Sequence, residues 1–224
     1  MQFNLASYID HTALKQATSI SDVDKLCLEA SMESFAAVCI PPKYVSSARK
    51  LLDGSGVKVA TVIGFPLGFI GIAAKVKEMQ DALALGADEL DMVIDLSALK
   101  SGDWQHLEEE IKECLKPVYD AGKVLKVIVE SGMLTTNELL SCCALYGNYE
   151  IDYMKSSTGY ADKGVTVDAV TLMRANLPRR IGIKASGGIR TYAFAKELID
   201  AGAIRLGCSA SMQIMKESRE ADKK

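Results

Sequence analysis

The sequence predicts an α/β protein, a compact (β/α)8 TIM barrel in a single domain over residues 1–224, and two observations carry that expectation. Apolar, β-branched runs recur along the chain, and helical patterns ended by glycine lie between them. Seven runs stand out: SFAAVCI (34–40), VKVATVIG (57–64), DELDMVID (88–95), VLKVIVE (124–130), IDYMKSS (151–157), RIGIKASG (180–187) and AIRLGC (203–208). A short segment at residues 8–11 makes an eighth. Several are apolar almost throughout, as parallel strands buried on both faces must be. A doubly wound open sheet is the alternative that the same periodicity allows.

The segments between the runs read as amphipathic helices at residues 73–85, 104–119 and 167–175. Gly86, Gly122 and Gly202 stand where a helix ends in a left-handed residue before a returning strand. Thr135 to Glu138 and Thr166 to Asp168 read as helix starts, with side-chain oxygens capping free N–H groups. The charged stretch 216–224 is expected to form a short helical or frayed tail, lying in solvent or folding over the barrel mouth.

Composition narrows the function. With 224 residues, 49% hydrophobic and 25% charged, the chain can bury a sizeable core. A formal net charge of −3 gives no basic footprint for nucleic acid or an anionic membrane, so a small soluble substrate is expected. The longest charge-free run, 59–74, is shorter than a membrane span and is broken at Pro66, which suits a strand, a loop and the start of a helix. Six cysteines, two of them adjacent at 142 and 143, and an N-terminus without a secretory layout point to free thiols in a reducing cytoplasm. His11 and His106 are the only histidines and no C-x-x-C pair exists, so neither a structural zinc site nor an H-E-x-x-H centre has a ligand set. Chemistry without metal or cofactor is the expectation.

Charged residues inside apolar strands mark the candidate site. Lys155 and Lys184 each end a strand just before Ser, Thr or Gly, the active face of a barrel. A single lysine there more often snorkels to solvent or binds phosphate. Two at matched positions on consecutive strands would share a cavity, where each lowers the other's pKa and a partly neutral amine attacks carbonyls. Asp91 shares a strand face with Glu89, Val93 and Asp95. It either pairs with these lysines structurally or moves protons beside a Schiff base. Asp88 and Glu89 are expected to be solvated at the strand start. Ser186-Gly187-Gly188-Ile189-Arg190 and Leu206-Gly207-Cys208-Ser209 follow strands seven and eight, the habitual phosphate position, where glycines let backbone N–H groups reach an anion.

Taken together, Ile9-Asp10-His11-Thr12 with Leu14-Lys15, Ala37-Val38-Cys39, Val62 to Gly68, Gly86 to Ile94, Lys155-Ser156-Ser157-Thr158-Gly159, Lys184 to Arg190 and Arg205-Leu206-Gly207 resemble the 2-deoxyribose-5-phosphate aldolase family, from Tyr8 to about Ser211. The resemblance implies a class I aldolase that cleaves 2-deoxy-D-ribose 5-phosphate reversibly to D-glyceraldehyde 3-phosphate and acetaldehyde. Lys155 would form the Schiff base, Lys184 would depress its pKa, and Asp91 would shuttle protons through water. N–H groups near Gly159, Gly187, Gly188, Gly207 and Ser209 would hold the phosphate. No cofactor is implied, the partner is a phosphosugar, and a homodimer is compatible. The chain departs from the family at Ser156, at Ile40-Pro41-Pro42, at Asp95, at Tyr160, where some members carry a basic residue, and at Cys208-Ser209-Ala210. Another Schiff-base aldolase or transaldolase, or a silent phosphosugar-binding barrel, are the competing readings.

Overall fold

In a computed structural model that describes residues 4–221, the eight expected strands form and close. A 3-10 turn at Leu5–Tyr8 leads into β1 (Ile9–Thr12), followed by α1 (Ile20–Glu33), β2 (Ala37–Ile40), α2 (Val45–Leu51), β3 (Lys58–Ile63), α3 (Ile72–Ala84) and β4 (Glu89–Val93). The chain continues through α4 (Leu96–Lys100), α5 (Trp104–Asp120), β5 (Val124–Ile128), α6 (Thr136–Gly147), β6 (Tyr153–Lys155), α7 (Val167–Asn176) and β7 (Gly182–Ser186). It ends with α8 (Tyr192–Asp200), β8 (Arg205–Cys208) and α9 (Ser211–Ala221). All strands are parallel and pair in chain order, with β8 returning to β1, which excludes the open sheet. Among the described residues no helix is long and apolar enough to cross a membrane.

The helix boundaries follow their local chemistry. Thr135 caps α6 through a reciprocal box with Glu138, and Thr166 accepts from Ala169 N–H at the start of α7. Gly86, Gly122 and Gly202 all have positive φ after α3, α5 and α8. Residues 216–221 of the charged tail are helical within α9, which packs against α8 and the 3-10 turn before β1, with Glu217 accepting from Tyr192 N–H and Arg219 bonded to Glu33 of α1. That part of the tail lies on the barrel flank; residues 222–224 fall outside the described residues.

The two faces of the strands differ in kind. Outward residues such as Val38, Val59, Leu90, Met92, Leu125, Met154, Ile183 and Leu206 join the helices in one continuous apolar core. Inward, β2 and β3 present a small apolar wall, Ala37, Cys39, Ala60 and Val62, and strand alternation puts buried Val93 and Ile128 on the faces of Asp91 and Lys126. Much of the lumen is nevertheless charged: Asp10, Glu89, Asp91, Lys126, Lys155 and Lys184 are all buried. A barrel of this kind is ordinarily filled by branched apolar side chains. A lumen filled with ions instead costs desolvation energy, and its retention points to chemistry. Glu89 corrects the sequence expectation. The strand start is not solvated, because barrel closure carries it inside, where Lys126 and Arg205 bind it. Asp88 stays outside at the rim, bonded to Arg49 and Lys123.

Candidate active site

Strand register brings the charged residues together. Lys155 lies directly beside Lys184 across β6 and β7, and Asp91 beside Lys126 across β4 and β5. Asp91 is the hub. Its Oδ2 accepts from Lys155 Nζ at 2.8 Å and from Lys184 Nζ at 2.7 Å, and its Oδ1 accepts from Lys126 Nζ at 2.7 Å. Two ammonium groups on one oxygen cannot be farther apart than those two contacts allow. Lys184 also donates to Asp10, which is bound on its other oxygen by Arg205, while Arg205 and Lys126 both reach Glu89. Gly207 makes room for this arrangement, since a Cβ there would lie 2.9 Å from the Ser186 Cβ and 3.3 Å from the Lys184 Cε.

Charge counting defines what the cluster can do. Four cations, Lys126, Lys155, Lys184 and Arg205, face three carboxylates, Asp10, Glu89 and Asp91. Burial opposes the charged form of Lys184, yet Asp10 and Asp91 outweigh it and hold the ammonium well above the usual lysine range. Lys126 is likewise raised, burial being overcome chiefly by Asp91. Asp91 lies well below the carboxylate range because Lys126, Lys155 and Lys184 overcome its burial. These groups stay ionised. Among the described residues, Lys155 has a single carboxylate contact, an oxygen it shares with Lys184.

Acid stability follows. Burial raises the Asp10 pKa, but Lys184, Arg205 and Lys126 lower it to about 2 from 3.8, and Asp91 shifts the same way. A carboxylate depressed in the fold contributes stability that is complete above its unfolded value and is lost as pH falls toward the folded one. Melting temperature is therefore expected to hold down to about pH 4 and then to fall steeply toward pH 2. The Asp10→Asn variant should show a shallower acid limb in the same thermal melts.

Above the cluster opens a cavity of about 690 Å³. Gly159, Gly187, Gly188, Gly207 and Ser209 all line it together with Lys155, and so do Lys15 and Arg190. Gly159, Gly187 and Gly188 have positive φ, so the backbone of these loops takes a course that side chains would oppose. Gly187 would also bring a Cβ to 3.2 Å from the Gly164 Cα. Asp95 does not line this cavity. It caps α4, accepting from Ser97 N–H at 2.9 Å and Ala98 N–H at 3.1 Å. Tyr160 does line it, with its hydroxyl donating to Leu14 O at 2.6 Å and its ring edge-on to Phe65.

Sequence reasoning missed Lys126, Asp10 and Arg205. Lys126 carried a usable signal, a charge inside the apolar run VLKVIVE. Asp10 and Arg205 begin or sit within four-residue strands too short to mark a face, and only closure of β1 on β8 joins them.

Comparison with known proteins gives the family. The chain is 46% identical over 215 residues to a deoxyribose-phosphate aldolase of Thermoanaerobacter sp. (strain X514), covering 96% of each chain. It is 44% identical over 221 residues to the one of Thermococcus gammatolerans, covering 98% of each. It superposes on a tetrameric deoxyribose phosphate aldolase from Aeropyrum pernix with a TM-score of 0.90 at 32% identity, over 97% of this chain and 92% of that one. Residues 5–210 match the model of the DeoC/LacD family aldolases, and the chain belongs to that family.

Proposed function

We propose that this aldolase cleaves 2-deoxy-D-ribose 5-phosphate reversibly through a Schiff base on Lys155. The observation that carries the reading is the cluster of four cations against three carboxylates, in which Lys155 is the member that opens onto the cavity. Neutral Lys155 attacks the C1 aldehyde of the open-chain sugar, and loss of water leaves an iminium. The C3 hydroxyl gives up its proton as the C2–C3 bond breaks, and the bond's electron pair flows into the iminium. Glyceraldehyde 3-phosphate leaves with three carbons and a two-carbon enamine stays on Lys155. Protonation at C2 and hydrolysis of the imine release acetaldehyde and restore the amine.

Lys184 stays an ammonium throughout, fixed by Asp10 and Asp91. Once Lys155 is neutral or bonded to substrate, Asp91 Oδ2 has lost one of its two ammonium contacts and is free to accept a proton through water. Backbone N–H groups at Gly159, Gly187, Gly188, Gly207 and Ser209, all lining the cavity, hold the phosphate, with Arg190 adding charge. Six free, buried thiols suit a reducing cytoplasm. Exposed Leu28 and Met32, one turn apart on α1, offer an apolar patch for a homodimer.

The direct test is borohydride trapping with 2-deoxyribose 5-phosphate, followed by intact mass and peptide mapping. A stable adduct on Lys155 is expected; a folded protein with no adduct anywhere would overturn the mechanism in favour of a silent binding barrel. Lys184→Leu separates the partner lysine. In the resemblance Lys184 is the residue that makes the neighbouring amine reactive, and without it Lys155 is the one ammonium on Asp91 Oδ2. Turnover should fall by roughly a hundred-fold or more at pH 7, and the rising limb of the pH–rate profile should move to higher pH. A variant equally slow at every pH would instead assign Lys184 to substrate contact.

A further inference from the structure

Glu130, just beyond β5, is one of two non-glycine residues with positive φ among those described, at φ 52° and ψ 57°. The other, Ser34, ends α1, an ordinary place for a left-handed residue. Glu130 has no such excuse, and an L-residue holds this conformation only where its surroundings overdetermine it. The backbone on either side stays zipped to the chain after β6: Val129 N–H donates to Lys155 O at 3.0 Å and Ser131 N–H to Ser156 O at 2.7 Å. Between these two rungs the left-handed turn buries the Glu130 side chain, whose Oε2 accepts from the Thr158 N–H at 3.1 Å and from its hydroxyl. Thr158 Oγ1 in turn accepts from Tyr160 N–H at 3.0 Å, and Tyr160 crosses to Leu14.

We infer that Glu130 is a positioning residue for the reaction: its carboxylate clamps the loop that runs from Lys155 to Tyr160, setting the amine and the Gly159 backbone at a fixed spacing. The inference rests on the Schiff-base reading of Lys155. The loop has the attacking amine at one end and a phosphate-cradle glycine four residues on, so a shift of the clamp misplaces C1 relative to Nζ whenever the phosphate is seated. Burial pushes the Glu130 carboxyl up, opposed by the Thr158 bonds and by the charge of Lys155, so the clamp lies within the electrostatic reach of the amine. Sequence offered no sign of it, since a glutamate after a strand ordinarily reads as a solvated rim residue.

The test uses three variants of the full chain. Glu130→Gly suits the left-handed backbone and deletes the clamp, Glu130→Gln keeps one acceptor oxygen, and Thr158→Val removes the hydroxyl from the other side. With 2-deoxyribose 5-phosphate, Glu130→Gly should raise KM and lower kcat so that kcat/KM falls roughly a hundred-fold, the cost of a small misplacement of reacting groups. Glu130→Gln should recover to within about tenfold of the parent, and Thr158→Val should fall between the two. Circular dichroism on the same samples should report a folded barrel. Parent-like kcat and KM in folded Glu130→Gly, or in Thr158→Val should the glycine variant fail to fold, would overturn the inference. Absence of a Lys155 adduct in the parent protein would overturn the mechanism instead, whatever the Glu130 kinetics.

Discussion

Lys155→Ala is expected to lower kcat/KM for 2-deoxyribose 5-phosphate cleavage by at least about 10³-fold, as removal of a covalent nucleophile does, while shifting the melting temperature by no more than about 4 °C. The two halves of this expectation have one origin. Lys155 is the surplus cation, so its removal leaves Lys126, Lys184 and Arg205 against Asp10, Glu89 and Asp91. Asp91 keeps its contacts to Lys184 and Lys126, both at 2.7 Å. The space vacated adjoins the cavity that Lys155 lines, so water can fill it rather than leave a sealed void. Steady-state assays and thermal melts on one preparation check both halves. Near-normal cleavage would end the Schiff-base mechanism, and a large loss of stability would make the Lys155 ammonium a structural ion.

How far the sequence reveals this site depends on how each residue is buried. The strands were legible because a parallel barrel buries both strand faces, leaving runs such as SFAAVCI and VKVATVIG as nearly unbroken apolar stretches. Lys155, Lys184 and Asp91 were legible as charges that such runs should not contain. Lys126 satisfies the same criterion, but three apolar residues follow it in its run, whereas serine follows Lys155 and Lys184 within two residues; in the fold Lys184, expected at a strand end, lies as far from the end of β7 as Lys126 does from that of β5. Glu89 was misread for a related reason. At the start of a strand an acidic residue usually reaches solvent, but here the lumen is ionic down to that level, with Lys126 at 2.6 Å.

Closure and backbone conformation lay beyond any local pattern. Asp10 and Lys184 are separated by 174 positions and meet only because β8 pairs with both β7 and β1. The left-handed Glu130 has no sequence signature, because the conformation is imposed by Thr158 and by the rungs on either side. Asp95 shows the converse. Its sequence position shared a face with Asp91, yet β4 ends at Val93 and the chain turns into α4, so the carboxylate became a helix cap.

Asp91→Ala is expected to be the most damaging single change in the barrel. Four cations would face two carboxylates, and the three buried ones, Lys126, Lys155 and Lys184, would lose an acceptor at once. Breaking a buried ion pair by deleting one partner costs about 3–5 kcal/mol, which for a chain of this size lowers the melting temperature by roughly 6–20 °C. Turnover should be lost in whatever fraction stays folded, since Lys184 and Lys155 are no longer held on one oxygen. Asp91→Asn keeps the shape and removes only the charge, so it isolates the electrostatic part. Adding Lys126→Met to Asp91→Asn leaves Lys155, Lys184 and Arg205 against Asp10 and Glu89, which restores the parent's excess of one cation. The double variant should therefore melt higher than the sum of the two single effects predicts. An Asp91→Asn protein as stable as the parent would mean that the lysines shed protons to restore balance, and the pH dependence of its melting would then locate which of them did so.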